Sequence, residues 1–573
     1  MSPSQSAVSR QENRSAGRRE PARGRIAAVA AIAVVGTVAA VLSTPGTARA
    51  QVAAEPAPPS APRARDLASP YLPLDHWAYP ALDLWIARGE IRSLSPLVKP
   101  WRRIDVAEAL TGLDRARLGS GERAWLERLE SELAPELARL SGAAAPDAQL
   151  ALRAAAGAGA WSQTHRDPLR AELDGEFSEA RVLESVGVEA EGHGGPVAGA
   201  IRLWREGMFR RDAQFPDGQV TPPREAFFLD DVSARFEEAY LELQTPYARV
   251  SFGRTYRNWG PPGLPGFLRS DYAFSEEEIG YRVGTGRIFA IGSLASYSDF
   301  GGDTTRYVSM HRLEVRPFDD LIVAISESSV HGGPGKGLDW RLVNPLTIWQ
   351  FSGDEEKTPY NKIGQVDLWW HAGRGLNLFG SLLADATNRE GSCCQMGGSL
   401  GFELPSLLPG WMLRGSFGAI QSLAYRTELP WEEYSVERLG IGWDKADLYL
   451  ARLEASGIPL AGLWLAPRVE VQVRGEGDFR QLRPPGEELP DFPRILVGRS
   501  ETTVRPSVAG FWRTGGRFPV ELHWDLGLNL VRDYRNVAGD DRTEPVGRIE
   551  ARIATPSPSG PGRPPPGSGC RPG

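Results

Sequence analysis

The sequence predicts a mainly β fold: a transmembrane antiparallel β-barrel of about sixteen to eighteen strands with a small N-terminal helical module. Three observations predict it. Between residues 150 and 555 the chain alternates apolar and polar side chains with period 2. Beyond the N-terminal region no run approaches the eighteen or so apolar residues that a membrane-spanning helix needs. A basic, then apolar N-terminus routes the chain out of the cytoplasm.

Taken in order, Arg18, Arg19, Arg23 and Arg25 form a basic segment, Ile26 to Leu42 is a run rich in Ala and Val, and Ala48-Arg49-Ala50 ends it with small residues. Residues 1–50 therefore read as a secretory signal cleaved after Ala50. Residues 51–70 are an Ala/Pro-rich linker. Residues 71–145 read as a helical module. Trp77, Ala78, Ala81, Leu82, Trp85 and Ile86 recur with helical spacing before Gly89. A second helix is expected over Ile104 to Leu113 and a third over Glu122 to Leu140, where Pro135 should bend it or end it early. The string Asp75-His76-Trp77-Ala78, with Trp101 to Leu110, resembles a degenerate S-layer homology repeat. Only one copy is present, so the module is read first as a helical cap under a larger domain.

The barrel is expected over residues 150–555. Clear segments are Arg235 to Leu243, Arg306 to Val315, Leu376 to Leu383 and Arg468 to Arg474. In the last, Val469, Val471 and Val473 face one way while Glu470, Gln472 and Arg474 face the other, as between lipid and a wet lumen. Trp369, Trp370, Trp411, Trp443, Tyr449, Trp464 and Trp524 fall at expected strand ends, where amphipathic rings suit a membrane interface. Val546 to Ile553 is a credible closing strand. Residues 556–573, rich in Pro, Ser and Gly, read as a disordered tail.

Composition narrows the function classes. A net charge of -7 argues against a nucleic-acid partner. The three cysteines, Cys393, Cys394 and Cys570, make neither a disulfide framework nor a zinc pattern, and no metal or cofactor is expected. The seven histidines stand as singles, and neither H-E-x-x-H nor G-x-S-x-G occurs, so no catalytic residue is assigned. A barrel-embedded hydrolase built around His311 or His371, acting on envelope polysaccharide or lipid, is the weaker alternative.

The segment Gly253 to Gly266 is the most distinctive. A strand-like stretch runs into a turn of Gly, Pro, Asn and Trp. Trp259 has a face suited to the C–H surface of a sugar, and Arg254, Arg257 and Asn258 have donors suited to hydroxyls or acidic groups. The competing reading is a tight loop folded inward to plug the barrel, with Trp259 as packing. Glu327 and Asn344 complete the candidate polysaccharide-binding set. Glu327 is read alternatively as the partner of a lumen arginine, and Asn344 as a turn residue before Pro345.

Several strings follow one another in order along the chain: Val250 to Arg254, Asn258 to Gly263, Leu268 to Ser270, His311 to Pro317, Leu321 to Glu327, Val343 to Leu346, Asn361 to Trp370 and Leu376 to Asp385. In these strings the chain resembles the Wzi-like capsule assembly family. The resemblance covers roughly residues 230–390. It implies an outer-membrane β-barrel with a helical domain at its periplasmic end, acting as a lectin that retains capsular polysaccharide at the cell surface. Outer-membrane lipid and surface polysaccharide are then the expected partners of a monomeric barrel. A porin or substrate channel of the same architecture is the alternative.

Overall fold

An alternating strand buries one set of side chains and exposes the other, and its backbone groups need partners on both edges; closing the sheet meets both demands. The computed structural model of the chain closes it with eighteen antiparallel strands, the upper end of the expected range. It describes residues 62–143, 146–162, 168–169, 181–208, 233–271, 275–297, 303–344, 361–373, 375–385, 395–436, 439–484, 494–516 and 518–555. These belong to one unit, Ala61–Gly573. The expected signal, most of the linker, the tail and all three cysteines lie outside the described residues.

The strands are β1 (Ala148–Ser162), β2 (Arg181–Gly194), β3 (Val197–Met208), β4 (Ser233–Gln244), β5 (Ala248–Arg254), β6 (Glu278–Gly284), β7 (Ile288–Tyr297), β8 (Thr304–Phe318) and β9 (Leu321–Pro334). They continue as β10 (Asn361–Gly373), β11 (Leu376–Asp385), β12 (Gln395–Leu408), β13 (Trp411–Ile420), β14 (Leu448–Leu460), β15 (Leu463–Arg474), β16 (Glu501–Arg513), β17 (Val520–Arg532) and β18 (Arg542–Ala554). Each pairs with the next, and β18 closes on β1 from Ala155↔Ala554 to Ser162↔Gly547. Connections alternate between short turns, such as Gly195-Pro196 and Asp319-Asp320, and long segments such as 255–277, 421–447 and 475–500.

The two faces differ as the alternation demands. Leu150 (68% exposed), Ile325 (60%), Leu382, Leu400 and Leu526 lie on the outer face, a surface suited to lipid. Val469 is 43% exposed, whereas Glu470, Gln472 and Arg474 are buried inside. The inner wall pairs its charges: Arg312 with Asp367, Arg414 with Glu403 at 2.8 Å, and Arg468 with Asp525 at 2.7 Å. Two of the expected interface tryptophans are elsewhere. Trp369 is buried with Leu97, Ile322 and Phe379, and Trp443 belongs to the segment filling the lumen. Trp370 and Trp512 are exposed at the rim.

Among the described residues the module has four α-helices: α1 (Tyr79–Ala87), α2 (Arg103–Thr111), α3 (Ser120–Glu132) and α4 (Ala134–Leu140). The third expected helix is two, because Pro135 starts a new one after the break at Leu133. Leu82, Trp85, Ile86, Trp125, Leu126 and Leu129 form its core, which continues into Ile458 and Phe511 of the barrel wall. The module therefore seats in the short-turn end. Asn377 Nδ2 donates to Ala87 O at 2.8 Å, Arg88 Nε to Pro405 O at 3.2 Å, and Gln244 Nε2 to Ser69 O at 2.9 Å.

Glu132 is the charged centre of this junction. Its carboxylate meets His76 Nε2 at 2.8 Å and Trp77 Nε1 at 3.0 Å within the module, and Arg513 at 3.6 Å and Arg153 at 3.8 Å on the wall. Burial pushes its pKa up, but His76, Arg153 and Arg103 outweigh burial and hold it well below the usual carboxylate range. A carboxylate with a depressed folded pKa contributes stability above its unfolded pKa and loses it as pH falls toward the folded value. Glu132→Gln is therefore expected to destabilise the module–barrel junction by about 3–5 kcal/mol at neutral pH. Thermal melting of the detergent-solubilised chain checks this: the gap between wild type and variant should narrow progressively below about pH 4.3.

Candidate functional site

The chain leaves the wall after Arg254 and rejoins it at Glu278, and the described residues between them, 255–271 and 275–277, cross the lumen. Two close approaches need glycine. A Cβ on Gly266 would stand 2.0 Å from Trp259 O, and one on Gly260 would stand 2.5 Å from the Gly266 Cα. The segment doubles back at this crossing, with Trp259 N donating to Arg269 O at 3.0 Å and Gly266 N to Asn258 Oδ1 at 3.3 Å. The Pro-Pro-Gly tip reaches the opposite wall, where Arg452 Nη1 donates to Gly263 O at 2.9 Å. Below, Asn258–Trp259 pairs as a two-residue antiparallel ladder with Val98–Lys99 of the module. Above, Tyr425 and Tyr434 donate their hydroxyls to Phe267 O at 2.6 Å and Leu268 O at 2.7 Å. The Phe267 and Trp443 rings stack with centroids 4.8 Å apart. One buried apolar cluster runs from Val98 through Trp259 and Phe267 to Trp443 and Phe479. The described lumen is thus filled in three layers: the module, the described residues of 255–277 and those of 421–447.

The structure divides the predicted site residues. Trp259 is 0% exposed, with the Arg269 guanidinium 5.7 Å from its ring centroid, so its face packs the plug and offers no open platform. Arg257 is buried, donating to Glu278 at 2.8 Å and to Ser251 Oγ at 3.3 Å. Asn258 is committed to Asp271 at 3.3 Å and to the Gly266 amide. Arg254, at the wall, is half-buried and 3.1 Å from Glu277. The reading of this segment as an inward plug, open at the sequence level, matches its position.

Glu327 and Asn344 lie apart from these four. Glu327 sits within β9, two residues from the outward-facing Ile325, so alternation places it on the outer face. It pairs with His311 Nδ1 at 3.2 Å across the ladder, which replaces the expected lumen arginine. Asn344 is exposed and ends a short helical turn, its amide donating to Arg341 O at 3.2 Å. Sequence reasoning missed Gln365, which clamps the plug by accepting from Leu268 N at 2.8 Å and donating to Trp259 O at 3.2 Å. Its only signal was a polar residue at an inward position of a strand. Among the described residues no group of three or more His, Cys, Asp or Glu is placed to hold a metal.

Gly266→Ala should dislodge the plug, because the added carbon meets backbone, whereas Gly286→Ala, with nothing within 4 Å, should be neutral. Trp259→Ala should cost about 3–5 kcal/mol as a cavity in a packed core. Thermal melting of the three variants in detergent checks the order.

No protein-family model matches the chain, and no curated protein matches its sequence. Solved structures do match in fold. Wzi of Escherichia coli, described as an outer membrane protein involved in group 1 capsule assembly and a carbohydrate-binding β-barrel, shares 14% identity at a TM-score of 0.56, over 85% of this chain and 99% of that one. OccD3 of Pseudomonas aeruginosa shares 9% identity at a TM-score of 0.41, over 71% of this chain and 91% of that one. A BenF-like porin of Pseudomonas fluorescens shares 11% at 0.40, over 72% and 98%. The chain has the fold of the Wzi barrel, as the ordered strings in its sequence implied.

Proposed function

We propose that the chain is a non-enzymatic, non-conducting outer-membrane barrel that binds surface polysaccharide in capsule assembly, as a monomer embedded in lipid. The observation that carries this reading is the plug. A channel needs an open lumen, and here residues 255–277 cross it between the module and residues 421–447, with the apolar cluster around Trp259 and Phe267 continuous through both layers. The shared fold with a carbohydrate-binding barrel supports the same reading. In such barrels short turns face the periplasm and long loops face outward, which puts the helical module on the periplasmic side. Polysaccharide contact then belongs to the long-loop end. There Asn344 is exposed and Arg254 partly so, while Arg257 and Trp259 act indirectly by holding the loops. The histidines proposed for hydrolysis are engaged otherwise: His311 by Glu327, and His371 Nδ1 by Asn377 Oδ1 at 2.6 Å.

Planar-bilayer recording separates this reading from a porin. The whole chain should give no stable open-channel steps. A glycan array probed with the refolded chain should show binding to capsule or O-antigen fragments. Steady conductance by the wild type together with an empty array would sink the reading.

A further inference from the structure

A cavity of about 290 Å³ lies between the module and the short turns of β4 to β7, at the end away from the long loops. Eight Arg and Lys side chains line it against three Asp and Glu. Five of the eight cations are engaged, Arg65 by Asp66 at 3.7 Å among them. Lys99 meets Asp83 at 2.7 Å, Arg102 holds Asp105 at 2.5 Å, Arg257 holds Glu278 at 2.8 Å, and Arg316 donates to the Arg92 carbonyl. Glu314 lies 3.3 Å from Arg312.

Arg249 and Arg282 differ. They are direct cross-strand partners on β5 and β6, and both line the cavity. Among the described residues neither has a carboxylate within 4.0 Å. The Arg282 guanidinium lies 3.4 Å from the Phe289 ring centroid, which fixes its plane. Like charges placed directly opposite destabilise a strand pair, and here they are kept side by side in a cavity with an excess of positive charge. Two guanidinium forks at such a spot suit an oxyanion, which accepts from both and cancels their repulsion.

The geometry points to an oxyanion-binding site at the short-turn end, in which Arg249 and Arg282 together bridge a phosphate or carboxylate group carried by a lipid headgroup or an acidic sugar. It stands independently of the polysaccharide reading, since inorganic phosphate alone probes it.

The test uses the whole chain in a nonionic detergent without added oxyanions. Isothermal titration with inorganic phosphate and with glucuronate should give binding at least tenfold tighter than with glucose. Arg282→Gln and Arg249→Gln should each weaken anion binding tenfold or more. Both variants should also melt at higher temperature than wild type in anion-free buffer, because the repulsion is gone. Native mass spectrometry with added phosphatidylglycerol separates the two sources. Lipid retained by wild type and lost in Arg282→Gln places the oxyanion on a headgroup; equal retention with weakened glucuronate binding places it on a soluble acidic sugar. Equal affinity for glucuronate and glucose, unchanged anion binding in both variants, or lower melting of the variants in anion-free buffer would each overturn the site.

Discussion

The structure depends on one constraint: the polar inner face of a wide barrel must find partners. In a barrel of about eight strands the wall side chains meet across the axis and fill the interior, whereas about sixteen to eighteen strands leave a channel. Here neighbouring wall charges satisfy one another in part, as Arg312 and Asp367 or Arg414 and Glu403 do. The remaining groups reach inward to the backbone of inserted segments. Gln365 holds both edges of the 255–277 crossing, Arg452 holds its tip, and Asn377 holds the end of α1. An inserted segment brings backbone groups that would be unsatisfied in a dry core, so wall and insert each supply what the other lacks.

The same constraint explains why the 255–277 segment is so rich in Gly and Pro. Its turns sit inside a packed lumen, so backbone approaches backbone at Gly260 and Gly266 with no room for a side chain. Trp259 fills the space where the segment meets the module, and the Val98–Trp259 ladder joins the helical module to the loop system. The module is thus one layer of a continuous plug as well as a cap. Glu132 makes the corresponding charged connection to the wall.

Charge is balanced locally almost everywhere that the structure carries it inside. Glu278 takes two arginines, Arg257 at 2.8 Å and Arg269 at 2.7 Å, and Glu470 lies between Arg452 at 2.5 Å and Arg468 at 3.3 Å. Against that background the facing Arg249 and Arg282 are an exception in kind: two like charges on one ladder, neither with a carboxylate within 4.0 Å among the described residues. Glu327 and His311 are another departure, a polar pair on the face that elsewhere carries Leu, Ile and Val.

The sequence alone determined the class of fold, because period-2 alternation in Arg468 to Arg474 and its fellows is local, and each strand carries it without reference to its neighbours. It also determined the helical module and the break at Pro135, each a matter of residues close in the chain. The candidate site was legible only as a segment. That Gly253 to Gly266 was special could be read, but whether Trp259 offers its face to a ligand or buries it depends on Val98, Phe267 and Trp443, which are distant in sequence. Glu327 was misplaced for a related reason: which alternate face of a strand turns inward is set by the register of the whole sheet, and a shift of one residue reverses it. The opposition of Arg249 and Arg282 likewise exists only once β5 pairs with β6. Local patterns depend on neighbours in the chain, whereas burial, facing and charge balance depend on neighbours in space, and only the closed and filled barrel decided those.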